Sequence, residues 1–165
     1  MNKGVAAARG EYILHLNAGD RLLTIPFAQL RECHDTDLVS FSVDMEGFGI
    51  FRPRPSLFLS RWSMPWHHQG SFYRREGHLG YDTQFPVHAD FDLNQRMVRA
   101  NKSVRCFDIL VSRMGGGGVS GNESTRVESY RIILKNFGPH YVLLAFPWYN
   151  AAGPLSAPLK RLLGR

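Results

Sequence analysis

The sequence predicts an α/β fold, a sheet flanked by helices within a single domain, on three observations. Short apolar runs suited to strands, at residues 11–16, 37–43, 69–74 and 104–109, are separated by stretches with helical patterning. Ala89, Leu93, Met97 and Ala100 fall at helical spacing between two of those runs. A chain of 165 residues, 44% apolar and 12% aromatic, has the size and content for one core. Residues 1–150 read as that domain and 151–165 as a basic amphipathic tail.

The elements follow in chain order. Three consecutive alanines, Ala6 to Ala8, predict a helix over residues 5–9, with Gly10 placed as its C-cap. A buried strand over 11–16 comes next, and Pro26 opens a short helix that includes Phe27, Leu30 and Arg31. After the strand at 37–43, the stretch 46–60 carries Gly47, Gly49, Pro53 and Pro55, which suits an edge strand or hairpin better than a central strand. A helix over 88–101 separates the runs at 69–74 and 104–109. Another over 126–136 has Tyr130, Ile133 and Leu134 on one face. In the tail, Leu155, Leu159, Leu162 and Leu163 stand beside Lys160, Arg161 and Arg165, a pattern that suits either a membrane surface or packing on the core.

With 20 basic and 14 acidic residues the chain carries +6, which favours anionic partners. The aromatic residues lie in apolar segments and not in a basic ladder, so a nucleic-acid partner rests on charge alone and is not expected. Cys33 and Cys106 are isolated, without the spacing of a disulfide framework or a zinc knuckle, which points to a reducing compartment. The longest apolar run, at 141–149, is interrupted by Pro147 and falls far short of the ~20 residues of a membrane span. A cytoplasmic protein is expected, peripheral at the inner face of the plasma membrane if the tail touches lipid.

Few residues suit chemistry. In "EYILHLNAGD" a strand ends on Asn17 and Asp20, at the position where open α/β sheets bind ligands. An acid there either holds a divalent cation through oxygen or caps the following segment, with Asn17 in an Asx turn. In "HADFDL" an acid at a helix N-terminus is kept ionised by the helix dipole, as a proton acceptor requires, or serves as an N-cap. Asp90 and Asp92 are two apart and point to nearly opposite sides, so only one faces a given pocket. In "MPWHHQGSFYRR", His67, His68 and Gln69 with Trp66 and Tyr73 suit a sugar or base, and Arg74 or Arg75 suits a phosphate. A zinc set of His67, His68, His88 and Asp90 has no supporting spacing. In "MGGGGVSGN" four consecutive glycines give either a loop that closes over a ligand and exposes N–H groups to an anion, or a linker.

The order of four segments adds to this reading. "MNKGVAAARGEYILHLNAGD", "HHQGSFYRR", "GYDTQFPVHADFDLNQRM" and "GGGGVSGN" resemble, in sequence, the family-2 glycosyltransferases, especially bacterial ones that assemble polysaccharides. The resemblance covers roughly residues 1–125 and implies part of a GT-A fold, a Rossmann-like mixed sheet flanked by helices. Nothing in the chain matches the family's opening pattern, "SVIIPVYN", so the expected portion lacks the first nucleotide-binding strands, as in an N-terminally truncated member.

Carried over by position, the resemblance implies that Asp20, with Asn17, holds Mg²⁺ or Mn²⁺ and the diphosphate of a nucleotide-sugar donor. Two of the motif's usual acids are replaced, by Asn17 and Gly19. Asp90 becomes the general base, His68 and Gln69 lie near the donor and acceptor, and Gly117, Gly118 and Ser120 belong to a loop over the site. The implied reaction is inverting transfer of a sugar to a saccharide or lipid-linked acceptor. The competing expectation is a non-catalytic remnant or interaction module of the same family.

Overall fold

The computed structural model of the chain describes residues 1–116 and 125–150. It is an α/β structure with one mixed, curled sheet. The strands are β1 (Tyr12–Leu14), β2 (Arg21–Leu22), β3 (Leu38–Met45), β4 (Gly49–Phe51), β5 (Ser71–Arg74) and β6 (Val104–Met114). The helices are α1 (Asn2–Ala7), α2 (Phe27–Glu32), α3 (Ala89–Arg99), α4 (Arg126–Phe137) and α5 (Pro139–Asn150).

The strand order is β1-β5-β3-β6-β2, with β4 paired to the far end of β3. β5 is antiparallel to both β1 and β3, and β6 runs parallel to β3 after a crossover through α3. The carboxyl ends of β1, β3 and β6 therefore lie on one side of the sheet. β1 is at one edge and β2 at the other, so residues 15–20 must cross that carboxyl side, a width of roughly 19 Å for four strand spacings.

Alternation along the strands assigns the two faces. Leu38 and Tyr73 point to the side covered by α3, where they meet Trp66, Tyr81, Leu93, Met97 and Val98. Trp62, Phe85, Phe91, Ile132, Ile133 and Ala145 extend this core under α4 and α5. Val39, Phe41, Phe72 and Val111 point the other way, onto Cys33 and Leu30 of the α2 region. Among the described residues that face has only the six-residue α2 over it, and a groove of about 530 Å³ lined by Tyr12, Leu14, Leu16, Leu22, Ile25 and Phe27 runs beside β1.

Several elements differ from expectation. α1 starts at Asn2 and ends at Ala7, because Ala8 is already extended (ψ 138°) to lead into β1, so Gly10 caps no helix. Pro26 is the N-cap of α2, one residue outside it. The chain at 46–51 does form the hairpin, β3 to β4. β6 continues five residues past 109, since its pairing with β3 resumes after an irregularity between Phe41 and Val43. Asp108 sits in that irregularity and accepts hydrogen bonds from Ser42 Oγ (2.8 Å) and Arg52 Nε (2.9 Å). α5 was not expected at all, because Pro147 lies inside it.

Gly70 is required by space. β5 and β4 share one edge of β3, and Gly70 stands where the chain leaves that edge. A Cβ there would come within 2.5 Å of the Phe41 carbonyl oxygen and 2.6 Å of Val43 Cγ2. Backbone cannot yield as a side-chain tip does, so Gly70→Ala is expected to cost about 1–3 kcal/mol, read as a lower urea midpoint at unchanged slope.

Candidate functional site

The turn after β1 is built from small and polar residues for a geometric reason. Asn17 O accepts the Asp20 N–H (3.1 Å), and Asp20 Oδ2 accepts the Asn17 N–H (2.9 Å), so the turn is closed from both ends. Gly19 has φ +94°, which favours glycine, and its carbonyl lies where a Cβ on Gly115 would be only 3.0 Å away. The crossing turn and the end of β6 thus lie nearly in contact. Asp20 Oδ1 accepts the Gly115 N–H (3.2 Å), and Glu46 Oε2 accepts the Gly116 N–H (2.8 Å). Two carboxylates anchor the start of the glycine-rich loop. Gly117, Gly118 and Ser120 lie outside the described residues.

Asn17 makes no Asx turn. Its Nδ2 faces His68 Nε2 at 3.1 Å, and His68 Nδ1 faces Asp90 Oδ2 at 2.7 Å. A continuous chain of hydrogen bonds, Asn17 to His68 to Asp90, therefore joins the end of β1, the turn before β5 and the first turn of α3. The His68 and Asp90 side chains are 11% and 13% exposed, enough to reach the surface but not to be surrounded by water. Asp90 Oδ1 accepts the Phe91 N–H (2.8 Å). Burial works against ionisation of Asp90. The hydrogen bond from His68, with the neighbouring His68 and His67 imidazoles and the Phe91 N–H, outweighs it and holds the carboxyl below the usual range.

Asp92 faces elsewhere. Fully buried, it accepts from Arg96 Nε (2.6 Å), Lys135 Nζ (3.0 Å) and Asn136 Nδ2 (3.1 Å), which ties α3 to α4. Glu128 of α4 takes the N–H groups of Val87 and His88 through Oε1 (3.0 and 2.6 Å), so it serves the N-terminus of α3 and leaves Asp90 to His68.

Gln69 is buried beside His68. Its carbonyl accepts the Ser112 hydroxyl (2.6 Å), and its Oε1 has no hydrogen-bond partner among the described residues. Arg74 is not brought to the site. His68 and Gln69 precede β5 and Arg74 ends it, so about 10 Å of extended strand separates them, and Arg74 stands 3.6 Å from Glu76. Arg75 is at that same end, its Nε on the Gly10 carbonyl (2.9 Å).

Behind the pair lies an aromatic cluster. His15, the residue after β1, meets Tyr81 edge-on at 5.1 Å, and His78 lies 5.5 Å from Tyr81 and 5.6 Å from Tyr73. Burial, with His78 and His68 nearby, carries His15 from 6.5 down to about 4, and burial with Arg96 lowers His78. Burial and the Asp90 charge push the Tyr81 hydroxyl up, so it stays protonated. The two imidazoles are neutral in the folded protein and charge more readily when it unfolds. Their contribution to stability is present above pH 6.5 and is lost as pH falls from there toward about 4. Urea midpoints are expected to fall across that interval, and to fall less in His15→Gln.

Among the described residues no group of three or more His, Cys, Asp or Glu side chains is arranged to hold a metal, the set of His67, His68, His88 and Asp90 included. Asp20 keeps a lone pair on each oxygen beyond its bonds to Asn17 and Gly115. That donor set fits a cation held by one carboxylate and completed by phosphate and water, and does not fit an all-protein cage. Asn17 presents its amide nitrogen to His68.

Glu46 is the site residue that sequence reasoning missed. It stands in a hairpin turn, and only the approach of β6 to that turn gives it a partner. No protein-family model matches the chain, and no curated protein matches it.

Proposed function

We propose that this chain carries the acceptor-side portion of an inverting glycosyltransferase of the family-2, GT-A type, with Asp90 as general base. The observation that supports this most is the convergence of Asn17, His68 and Asp90, from three separate motifs, at the carboxyl side of one sheet. Beside them Asp20 meets the start of the glycine-rich loop.

In the proposed reaction the acceptor hydroxyl gives its proton to Asp90 as its oxygen bonds to the anomeric carbon. The bond from that carbon to the diphosphate oxygen breaks, and the nucleoside diphosphate leaves with the electron pair. Asp90 suits the first role because it is ionised and fixed at one oxygen by His68 and at the other by Phe91, so it pays little reorganisation when the acceptor arrives. Tyr81 and Tyr73, both protonated and close to Asp90, keep the wall behind it uncharged. Asp20 would hold a divalent cation, Mg²⁺ or Mn²⁺, which would offset the charge of the leaving diphosphate. The amide of Gln69 would meet donor or acceptor oxygens.

A saccharide or lipid-linked acceptor belongs to the same proposal, with peripheral contact at the inner membrane face. Leu143, Leu144 and Phe146 are exposed on α5, and residues 139–165 contain no Asp or Glu, which suits an anionic lipid surface. Among the described residues no helix is long and apolar enough to cross a membrane.

The test is thermal: UDP- or GDP-sugars with Mn²⁺ are expected to raise the melting temperature, and EDTA to remove the effect. A second reading, a non-catalytic interaction module, is favoured by the apolar groove beside β1. A chain that binds no nucleoside diphosphate with or without metal decides for it.

A further inference from the structure

We infer that Asn17 is a positioning residue for the base and not a metal ligand: its side-chain amide donates to His68 Nε2 and so sets the tautomer in which His68 donates to Asp90. The inference rests on the glycosyltransferase reading for what Asp90 does, and on geometry alone for how Asp90 is held.

The directions of the two hydrogen bonds carry the argument. Asn17 Nδ2 is a donor with no lone pair, so the ring nitrogen it faces at 3.1 Å must be bare. A neutral imidazole with a bare Nε2 has its proton on Nδ1, the nitrogen that lies 2.7 Å from Asp90 Oδ2. Each link demands the polarity of the next. The other charged or titratable neighbours are His67 in sequence, His15 beyond β1, and Tyr73 and Tyr81 beside Asp90, both protonated, while Asp20 turns to the Asn17 and Gly115 N–H groups.

This gives a reason for an amide at the strand end where the resemblance has an acid. An aspartate at 17 would accept rather than donate, so His68 would need a proton on each nitrogen, between two carboxylates. The resulting cation would bind Asp90 as an ion pair and weaken it as a proton acceptor. Asn17 keeps His68 a neutral donor, which orients Asp90 without neutralising it. Both ring nitrogens of His68 are then used within the protein, and its part in the site is to hold Asp90 rather than to touch a sugar.

The test reads the ring directly. Long-range ¹H–¹⁵N spectra of the full chain at neutral pH, assigned with His68→Gln, are expected to show His68 with a protonated Nδ1 and a bare Nε2. In Asn17→Asp both nitrogens are expected to be protonated, and sugar transfer to fall about tenfold, the scale of one hydrogen bond to a charged group. Mn²⁺ titration of donor binding should be unchanged in Asn17→Ala, whereas a metal ligand would require more Mn²⁺. A proton on Nε2 in the parent, or His68 resonances that do not move in Asn17→Asp, would overturn the inference. A parent with the expected tautomer that transfers no sugar and binds no nucleoside diphosphate would instead overturn the glycosyltransferase reading, so the two failures are distinct.

Discussion

Asp92→Ala is expected to lower the unfolding free energy by about 3 kcal/mol, measured by urea denaturation. Asp92 is fully buried at the contact between α3 and α4, and three donors converge on it: Arg96, Lys135 and Asn136. Removing the acceptor leaves Arg96, Lys135 and Asn136 each with one hydrogen bond unmade, although Arg96 keeps the Leu79 and Gly80 carbonyls, Lys135 keeps Asp82 and Asn136 keeps Gln95 Oε1. The loss falls at the lower end of the range for breaking a buried pair because Arg96 and Lys135 are 22% and 38% exposed and regain some water. Burial pulls the Lys135 ammonium down, but its hydrogen bonds to Asp82 and Asp92 win and raise it in the parent. Asp82 bonds the same lysine from an exposed position (2.8 Å), so Asp82→Ala is expected to cost less than Asp92→Ala. Equal losses would show that the buried carboxylate adds nothing beyond a surface ion pair.

Asp90→Asn is expected to reduce sugar transfer by about 10²–10⁴-fold, the range for loss of a general base, while the chain still folds with a stability loss no greater than one hydrogen bond, about 1–3 kcal/mol. The amide has one oxygen where Asp90 offers Oδ2 to His68 Nδ1–H and Oδ1 to the Phe91 N–H, so the variant keeps one of these bonds and loses the other. What disappears is the capacity to take a proton. Donor binding, read as the shift in melting temperature with nucleoside diphosphate and Mn²⁺, should stay near that of the parent, since in the proposed function the donor is held through Asp20 and not through Asp90. Transfer within threefold of the parent would exclude Asp90 as the base.

Local chemistry made much of the fold legible. The strands in the 11–16, 37–43 and 69–74 runs, the β3–β4 hairpin and the helices α3 and α4 follow from apolar spacing and from glycine and proline placement, which act within a few residues. α5 was hidden because proline is a strong helix-breaking signal, and here Pro147 lies in a helix whose Ala145, Tyr141 and Val142 pack on the α4 core. β2 was hidden because two residues carry no periodicity; it exists only because the turn delivers Arg21 and Leu22 beside Arg113 and Ser112.

The candidate site divides along the same line. Sequence alone determined which side chains have chemistry to offer: an amide and an acid after an apolar strand, a histidine pair, an acid at a helix start, and glycines where a loop begins. It also determined that Asp90 and Asp92 cannot share a pocket, since residues two apart on a helix diverge. Only the tertiary structure decided the partners. Hydrogen bonds act within about 3 Å, and Asn17, His68 and Asp90 are 51 and 22 residues apart in the chain, so the order of the strands and not local preference brings them together. The same order separates Arg74 from them, one strand length away.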